Sequence, residues 1–238
     1  MPKINILKHN QEIDEDYIYK ILVPLYRKIA FDQKKQYDQI ALKYMSSCKN
    51  IVDVGCGTGR FISNSPSRVK GVDHNKESVE ICLKKGYDVI RADITKLPFK
   101  DDSFDGVHCS HVIEHLQPEK AYKLLSELVR VLKKNGILVI RTPMLYNGFY
   151  DDFTHIKPYH PKALLHYLTT YERSEQTTLT PIKGKFKVLK LKYRKAPLFI
   201  WIIDTPFFFI FPLFNFLYRF GISSLKKTGY MLILKKME

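Results

Sequence analysis

From residue 50 onward, short apolar runs alternate with longer amphipathic stretches. The runs are Ile51–Val54, Val69–Val72, Tyr87–Ile90, Phe104–His108 and Ile137–Ile140. Between them, 76–85 and 118–134 repeat apolar residues at helical spacing, and the second closes on Lys133-Lys134 and Asn135-Gly136, a helix-stop pattern. Strands separated by helical crossovers of this length predict a parallel sheet. Ahead of them, Tyr17, Ile18, Ile21, Leu22, Leu25, Ile29, Ile40 and Tyr44 predict a helix over 17–47. After Arg141-Thr142-Pro143 the rhythm changes to a polar and aromatic loop from Met144 to Pro161 and a short helix to about Thr170. A strand over Lys185–Arg194, an apolar stretch and a last strand from Gly229 complete the pattern. The chain thus divides into a helical extension, 1–49, and a sheet domain, 50–238, with a substrate loop and helix at 144–170 and an apolar insertion at 196–228.

Composition adds little to that picture, but charge does. With 45% hydrophobic residues among 238, the chain can bury a large core and is not disordered in character. The net charge of +15 is unevenly spread: 1–49 carries 9 basic and 6 acidic side chains, 50–152 carries 15 and 14, and 153–238 carries 15 and 4. The last third therefore points to an anionic partner, a membrane surface or a nucleic acid. Cys48, Cys56, Cys82 and Cys109 lack paired spacing, which fits a reducing, cytoplasmic setting better than a disulfide frame or zinc knuckle. The polar, acidic start from Glu12 to Asp16 has no secretory h-region.

The first strand runs into Asp53-Val-Gly55-Cys56-Gly57-Thr58-Gly59, glycines placed between a strand and a helix, where open α/β sheets bind ligands. A dinucleotide fingerprint would need glycine at position 60, which is Arg60. The spacing fits a smaller adenosyl ligand without a pyrophosphate. Asp73 closes the second strand, where a carboxylate can accept both ribose hydroxyls, and Asp93 closes the third, within reach of an adenine amine.

With Gly71-Val-Asp-His, Ala92-Asp-Ile-Thr-Lys-Leu-Pro-Phe, Ser103-Phe-Asp, His111-Val-Ile-Glu-His and Leu132-Lys-Lys-Asn-Gly-Ile-Leu in order, the chain resembles the class I S-adenosylmethionine-dependent methyltransferases, in the group that includes ubiquinone and menaquinone methyltransferases. The match covers about 17–170 and the last strand. The resemblance implies a doubly wound, Rossmann-like α/β sheet of seven strands, mostly parallel with an antiparallel C-terminal strand, and helices on both faces. It implies S-adenosyl-L-methionine as cofactor, with Asp53, Gly55, Gly57 and Gly59 at the methionine end, Asp73 at the ribose, and Asp93 with Ile94 at the adenine. Cys56, His74 and Ser110 complete the expected cofactor contacts.

Transfer of a methyl group from a sulfonium is an in-line displacement that depends on alignment, and a base is needed only for a protonated nucleophile. The segments past strands four and five offer His111, Glu114, His115, Tyr146, Asp151, Asp152 and His155. His155, in an Asp–His–aromatic–Pro loop similar to the substrate loops of related methyltransferases, is the first choice for a base or orienting group, with His111 second. The other reading of His155 is a loop tether whose ring bonds a backbone group; His160 beside Pro161 reads as a turn residue. His111-Val-Ile-Glu114-His115 also fits an inverted zinc-protease pattern, but it follows the fourth strand of a sheet instead of sitting in a long helix. Some quinone methyltransferases similar to this chain hold a divalent cation at E-x-x-E-H; His111 replaces the first Glu, and no metal is assigned.

Residues 197–222 are apolar enough for a membrane span. The strands expected on either side are sheet neighbours, so both ends lie on one side, and 26 residues cannot cross ~30 Å of hydrocarbon twice. Flanking Lys and Arg suit peripheral docking to an anionic inner-membrane face. The same run also suits a pocket for an apolar acceptor or a homodimer interface, and the lysines of 185–194 suit protection of an exposed sheet edge. The expectation is therefore methyl transfer, to oxygen by preference, onto a small or lipid-linked acceptor such as a quinone, isoprenoid or glycan precursor. RNA methylation is the alternative, disfavoured because the aromatics form a block instead of alternating with Lys and Arg; a catalytically silent scaffold is another.

Overall fold

Side-chain alternation along the strands decides how the sheet is covered. The computed structural model describes residues 33–169, 186–195 and 226–237. In chain order these form α1 (Gln33–Tyr44), β1 (Ile51–Val54), β2 (Val69–Asp73), α2 (Lys76–Lys84), β3 (Val89–Arg91), β4 (Phe104–Ser110), α3 (Pro118–Val131), β5 (Leu132–Pro143), α4 (Pro161–Leu168), β6 (Phe186–Lys195) and β7 (Lys227–Lys236). They build a seven-stranded sheet in the order β3-β2-β1-β4-β5-β7-β6. β1 to β5 are parallel, and β7 runs antiparallel to both β5 and β6. Val52, Val54, Leu138 and Ile140 pack beneath Leu124 and Leu128 of α3 and Leu164 and Leu168 of α4. Their odd-numbered neighbours Ile51, Ile137 and Val139 face the other way, onto Tyr37 and Ala41 of α1 and Val79 and Cys82 of α2. Both faces are thus covered, as a sheet of mostly apolar parallel strands requires. The expected fold class holds.

Three boundaries differ from the sequence reading. The helix expected to reach residue 134 ends at Val131, because Leu132 already pairs with Phe104 in the sheet. A register shift before Gly106 absorbs the intervening residues, with Asn135 at φ 64° and Lys133 bonded to Asp105 at 2.9 Å. β3 begins at Val89, not at Tyr87, whose ring lies against Gly59. The glycine turn leads not into a full helix but into one 3-10 turn, Ile62–Asn64. Within the long N-terminal helix expected over 17–47, only the part from 33 lies among the described residues, as α1; the apolar run 197–222 lies outside them. Among the described residues no helix is long and apolar enough to cross a membrane. β6 is an edge strand whose Lys187, Lys190 and Lys195 are exposed, the placement that deters edge-to-edge pairing.

The loop between β3 and β4, which begins at Ala92, is held down from α3. Arg130 donates to both carboxylate oxygens of Glu127 at 2.7 Å and to the carbonyls of Leu97 and Phe99. Glu127 accepts the Leu97 N–H at 2.7 Å, and the Arg130 guanidinium holds its carboxyl below the usual carboxylate range. A depressed carboxylate pKa contributes stability that is present above the unfolded value and disappears as pH falls through the folded one. Glu127→Gln should therefore cost about 1–2 kcal/mol at pH 7, a few degrees in Tm, and the gap to the parent should close below about pH 4. Thermal unfolding followed by circular dichroism across pH checks this; a gap constant with pH contradicts it.

Candidate functional site

The carboxyl ends of β1, β2 and β4 are joined by the glycine turn. Gly55, Gly57 and Gly59 have φ of 75°, 52° and 83°, a left-handed backbone that only glycine adopts cheaply. Gly55 is needed for a second reason: a Cβ there would sit 2.2 Å from Cγ2 of Val112. At Gly57 a Cβ would meet nothing within 4 Å, so this peptide lies open to the space above the sheet. The turn is anchored from two sides. The N–H groups of Gly55 and Cys56 donate to the Val72 carbonyl at 2.8 and 3.0 Å. Asp73 at the tip of β2 accepts the Gly57 N–H on Oδ2 at 2.8 Å and the Asn75 N–H on Oδ1 at 2.9 Å. Asn75 in turn caps α2 by accepting the Ser78 N–H.

Above this turn opens a cleft of about 1090 Å³, lined by Gly55, Gly57, Asp73, Asp93, Ile94 and His111 among others. Asp93 lies two residues past the end of β3 instead of closing it. Its Oδ1 accepts both the N–H and the hydroxyl of Thr95 at 2.8 Å, and these bonds hold the carboxyl below its ordinary pKa. His74 borders the same cleft with an exposed ring, 3.6 Å from Asp73. Arg91, Ala92, Thr95, Val112, His115, Leu116, Lys120 and Thr154 complete the lining and were not assigned from sequence, except His115 as a base or ligand.

The structure places the other expected cofactor residues beneath the cleft. Asp53 is buried and bonds His108 Nδ1 at 2.7 Å, while the His108 ring stacks on Phe61 at 3.7 Å. Asp53 and His108 are register partners on β1 and β4, so a polar residue at mid-strand opposite a buried acid was the available signal for His108. Cys56 turns its thiol into the core beside Gly71, where burial pushes its pKa up. Gly59 backs onto Tyr87 and Cys82. Ser110, at the end of β4, has a buried hydroxyl with no partner among the described residues.

Of the two expected catalytic residues, His111 borders the cleft and His155 does not. His111 is a non-glycine residue at φ 58°, a conformation that needs local support. That support comes from its N–H on the Arg141 carbonyl at 2.8 Å and from Nδ1 on the fully buried Glu114 at 3.0 Å. Burial pulls its pKa below the ordinary imidazole value. Glu114 also accepts the Thr142 hydroxyl, and its carbonyl receives the N–H of Ile156. His155 bonds the Phe149 carbonyl through Nδ1 at 2.6 Å, and its Nε2 stands 3.7 Å from Asp152. Its ring packs against Phe149 and His115, an arrangement that ties the 149–155 loop to the segment after β4. His160, expected in a turn, caps α4 by accepting the Lys162 N–H. Glu114, His115 and His155 each bring one ligand atom within 4.8 Å of the others, the grouping among the described residues that could hold a divalent cation.

Comparison with known proteins agrees with this geometry. Residues 52–140 match the family model described as a methyltransferase domain. The chain is 28% identical over 141 residues to the tRNA (carboxymethyluridine(34)-5-O)-methyltransferase of Arabidopsis thaliana, covering 58% of this chain and 35% of that protein. It is 31% identical over 120 residues to a phthiotriol/phenolphthiotriol dimycocerosates methyltransferase of Mycobacterium ulcerans, covering 45% of this chain and 42% of that protein. The chain therefore spans less than half the length of either relative. A solved S-adenosylmethionine-dependent methyltransferase from Archaeoglobus fulgidus superposes with a TM-score of 0.60 at 25% identity, over 91% of this chain and all of that one. Residues 52–140 carry a methyltransferase domain, and the chain has the fold of a solved S-adenosylmethionine-dependent methyltransferase.

Two glycines in the turn separate packing from binding. Gly55→Ala combines a left-handed backbone with a clash at Val112 and should cost about 2–4 kcal/mol. Gly57→Ala meets open space and should cost about 1–2 kcal/mol while projecting its methyl into the cleft. Urea unfolding of both variants checks the order; equal losses would mean that Val112 does not wall the turn.

Proposed function

We propose that the chain transfers a methyl group from S-adenosylmethionine to a small or lipid-linked acceptor, with oxygen the preferred nucleophile. The observation that supports it best is the joint placement of Gly57, Asp73 and Asp93 around one open cleft with His111 on its wall. Asp73 is suited to the ribose: two backbone N–H bonds fix its carboxylate, which still has acceptor capacity for hydroxyls. Asp93 stays ionised, and Oδ2, which bonds no described group, suits an exocyclic amine. The open peptide at Gly57 suits the methionine end. When bound, the cofactor supplies an electrophilic methyl on a good leaving group, so the chain's task is alignment and removal of one proton.

His111 is our choice for that proton. Its Nδ1 is occupied by Glu114, which orients the ring and favours the tautomer with an accepting Nε2. His155 acts one step back, as a positioning residue that ties the substrate loop through Phe149 and His115. A small acceptor is supported by the position of Thr154, from the 149–155 loop, in the wall of the cleft. The apolar run 197–222 and its basic flanks support an acceptor carried in or on a membrane. RNA methylation is the second reading, favoured by the name of the plant relative and by the basic last third.

The test is incubation with methyl-labelled cofactor and fractionated extracts, the lipid fraction presented in anionic vesicles. Label should enter the lipid or small-molecule fraction, and His111→Ala should lower the rate by about 100-fold or more. Label confined to RNA, or an undiminished His111→Ala, contradicts the reading.

A further inference from the structure

One cluster of positive charge lies on the α1 face of the sheet, at the strand ends next to His111. Arg141, near the end of β5, is 4% exposed, and its Nη1 has no hydrogen-bond partner among the described residues. Its register neighbour on β4 is Ser110, whose buried hydroxyl is likewise without a partner there. Three buried side-chain atoms among the described residues are in this state, and two of them are these. Both residues project from the α1 face of the sheet, Arg141 in step with Val139 and Ser110 in step with His108.

The surroundings are cationic. Across the next strand, Met231 pairs with both Arg141 and Lys192, so the two cations flank it in one row, roughly 10 Å apart. Tyr37 of α1 covers that row, with the Arg141 guanidinium 4.6 Å and the Lys192 ammonium 5.2 Å from its ring. One row nearer the cleft, Arg194 lies over Gly229, where a Cβ would stand 3.2 Å from its Nε, and bonds the carbonyl and hydroxyl of Thr228. Those partners are neutral. Of the buried acids on this face, Asp53 is paired with His108 and Asp38 with Arg60. Burial first, and the Arg60 and Arg194 charges second, pull the Arg141 pKa down to about 10 against the smaller opposing effects of Asp38 and Tyr37, so it stays a cation at neutral pH.

A buried guanidinium with an unused donor, next to an unused hydroxyl and among unneutralised cations, is unfavourable unless an anion completes it. The Arg141 backbone carbonyl holds the N–H of His111, which lines the cleft, so the cluster is joined to the cleft wall through the main chain. We propose that Ser110, Arg141 and Arg194 form a binding site for a phosphate group carried by the methyl acceptor, Arg141 and Ser110 contacting its oxygens and Arg194 closing its outer side. The surplus of positive charge favours a phosphate over a singly charged carboxylate. The depth of Arg141 favours a small phosphorylated molecule over the backbone of a polymer. The inference rests on the methyl-transfer reading above.

The test uses the full chain saturated with S-adenosylhomocysteine at constant ionic strength. Inorganic pyrophosphate and phosphate are titrated while Tm is followed, with acetate and unfractionated tRNA as parallel arms. A saturable rise in Tm with pyrophosphate or phosphate, at least tenfold weaker in Arg141→Gln with S-adenosylhomocysteine affinity unchanged, supports the site. Should Arg141→Gln fail to fold, Arg194→Gln, on the edge strand, serves instead, and a severalfold weaker pyrophosphate response supports the site. No saturable response to either phosphate probe while S-adenosylhomocysteine still binds overturns this inference alone, as does equal binding by the variants, or a response to acetate or tRNA only. Failure to bind S-adenosylhomocysteine at all overturns it together with the reading beneath it.

Discussion

The geometry of the cleft depends on one carboxylate. Asp73 accepts a backbone N–H from Gly57 on one oxygen and from Asn75 on the other, and so ties together the turn after β1, the tip of β2 and the start of α2. Hydrogen bonds to an ionised acceptor are stronger than neutral ones, and this one spans 16 residues of sequence. The turn that brings the Gly57 N–H to Asp73 runs through glycines of left-handed backbone. Because Asp73 is fixed before any ligand arrives, it can accept ribose hydroxyls with little reorganisation.

A second layer of polar groups supports the first from below. Asp53 and His108 pair across β1 and β4 under the turn, and Phe61 closes over them. Next to them the chemistry changes from satisfied to unsatisfied: the Ser110 hydroxyl and Arg141 Nη1 are buried but have no hydrogen-bond partner among the described residues. This contrast on one face of the sheet separates the Asp53–His108 pair beneath the turn from the unpartnered hydroxyl and guanidinium beside it.

The sheet was legible in the sequence because its signals are local. Apolar runs such as Ile51–Val54 and Val69–Val72 stand against turn residues, and the observed strands match them closely. The glycine turn was legible because left-handed backbone admits few residue types. Boundaries set by tertiary contact were not: β3 starts at Val89 because Tyr87 serves Gly59, and α3 stops at Val131 because Leu132 is needed by Phe104. Asp73, Asp93 and His111 line one cleft, as expected of strand ends that converge on one edge in a sheet of this class. Asp53 lies beneath the cleft instead of facing it, and the difference is invisible without the His108 ring. Arg141 escaped notice because a lone arginine before Thr-Pro carries no spacing signal. Its meaning appears only once β4, β6, β7 and α1 surround it.

The central claim is that the Gly57–Asp73–Asp93 edge is an adenosyl slot. Calorimetric titration of the full chain with S-adenosylhomocysteine, and separately with NADH, tests it directly. The account predicts one-to-one binding of the former and no heat from the latter; NADH binding with a silent S-adenosylhomocysteine titration would contradict it.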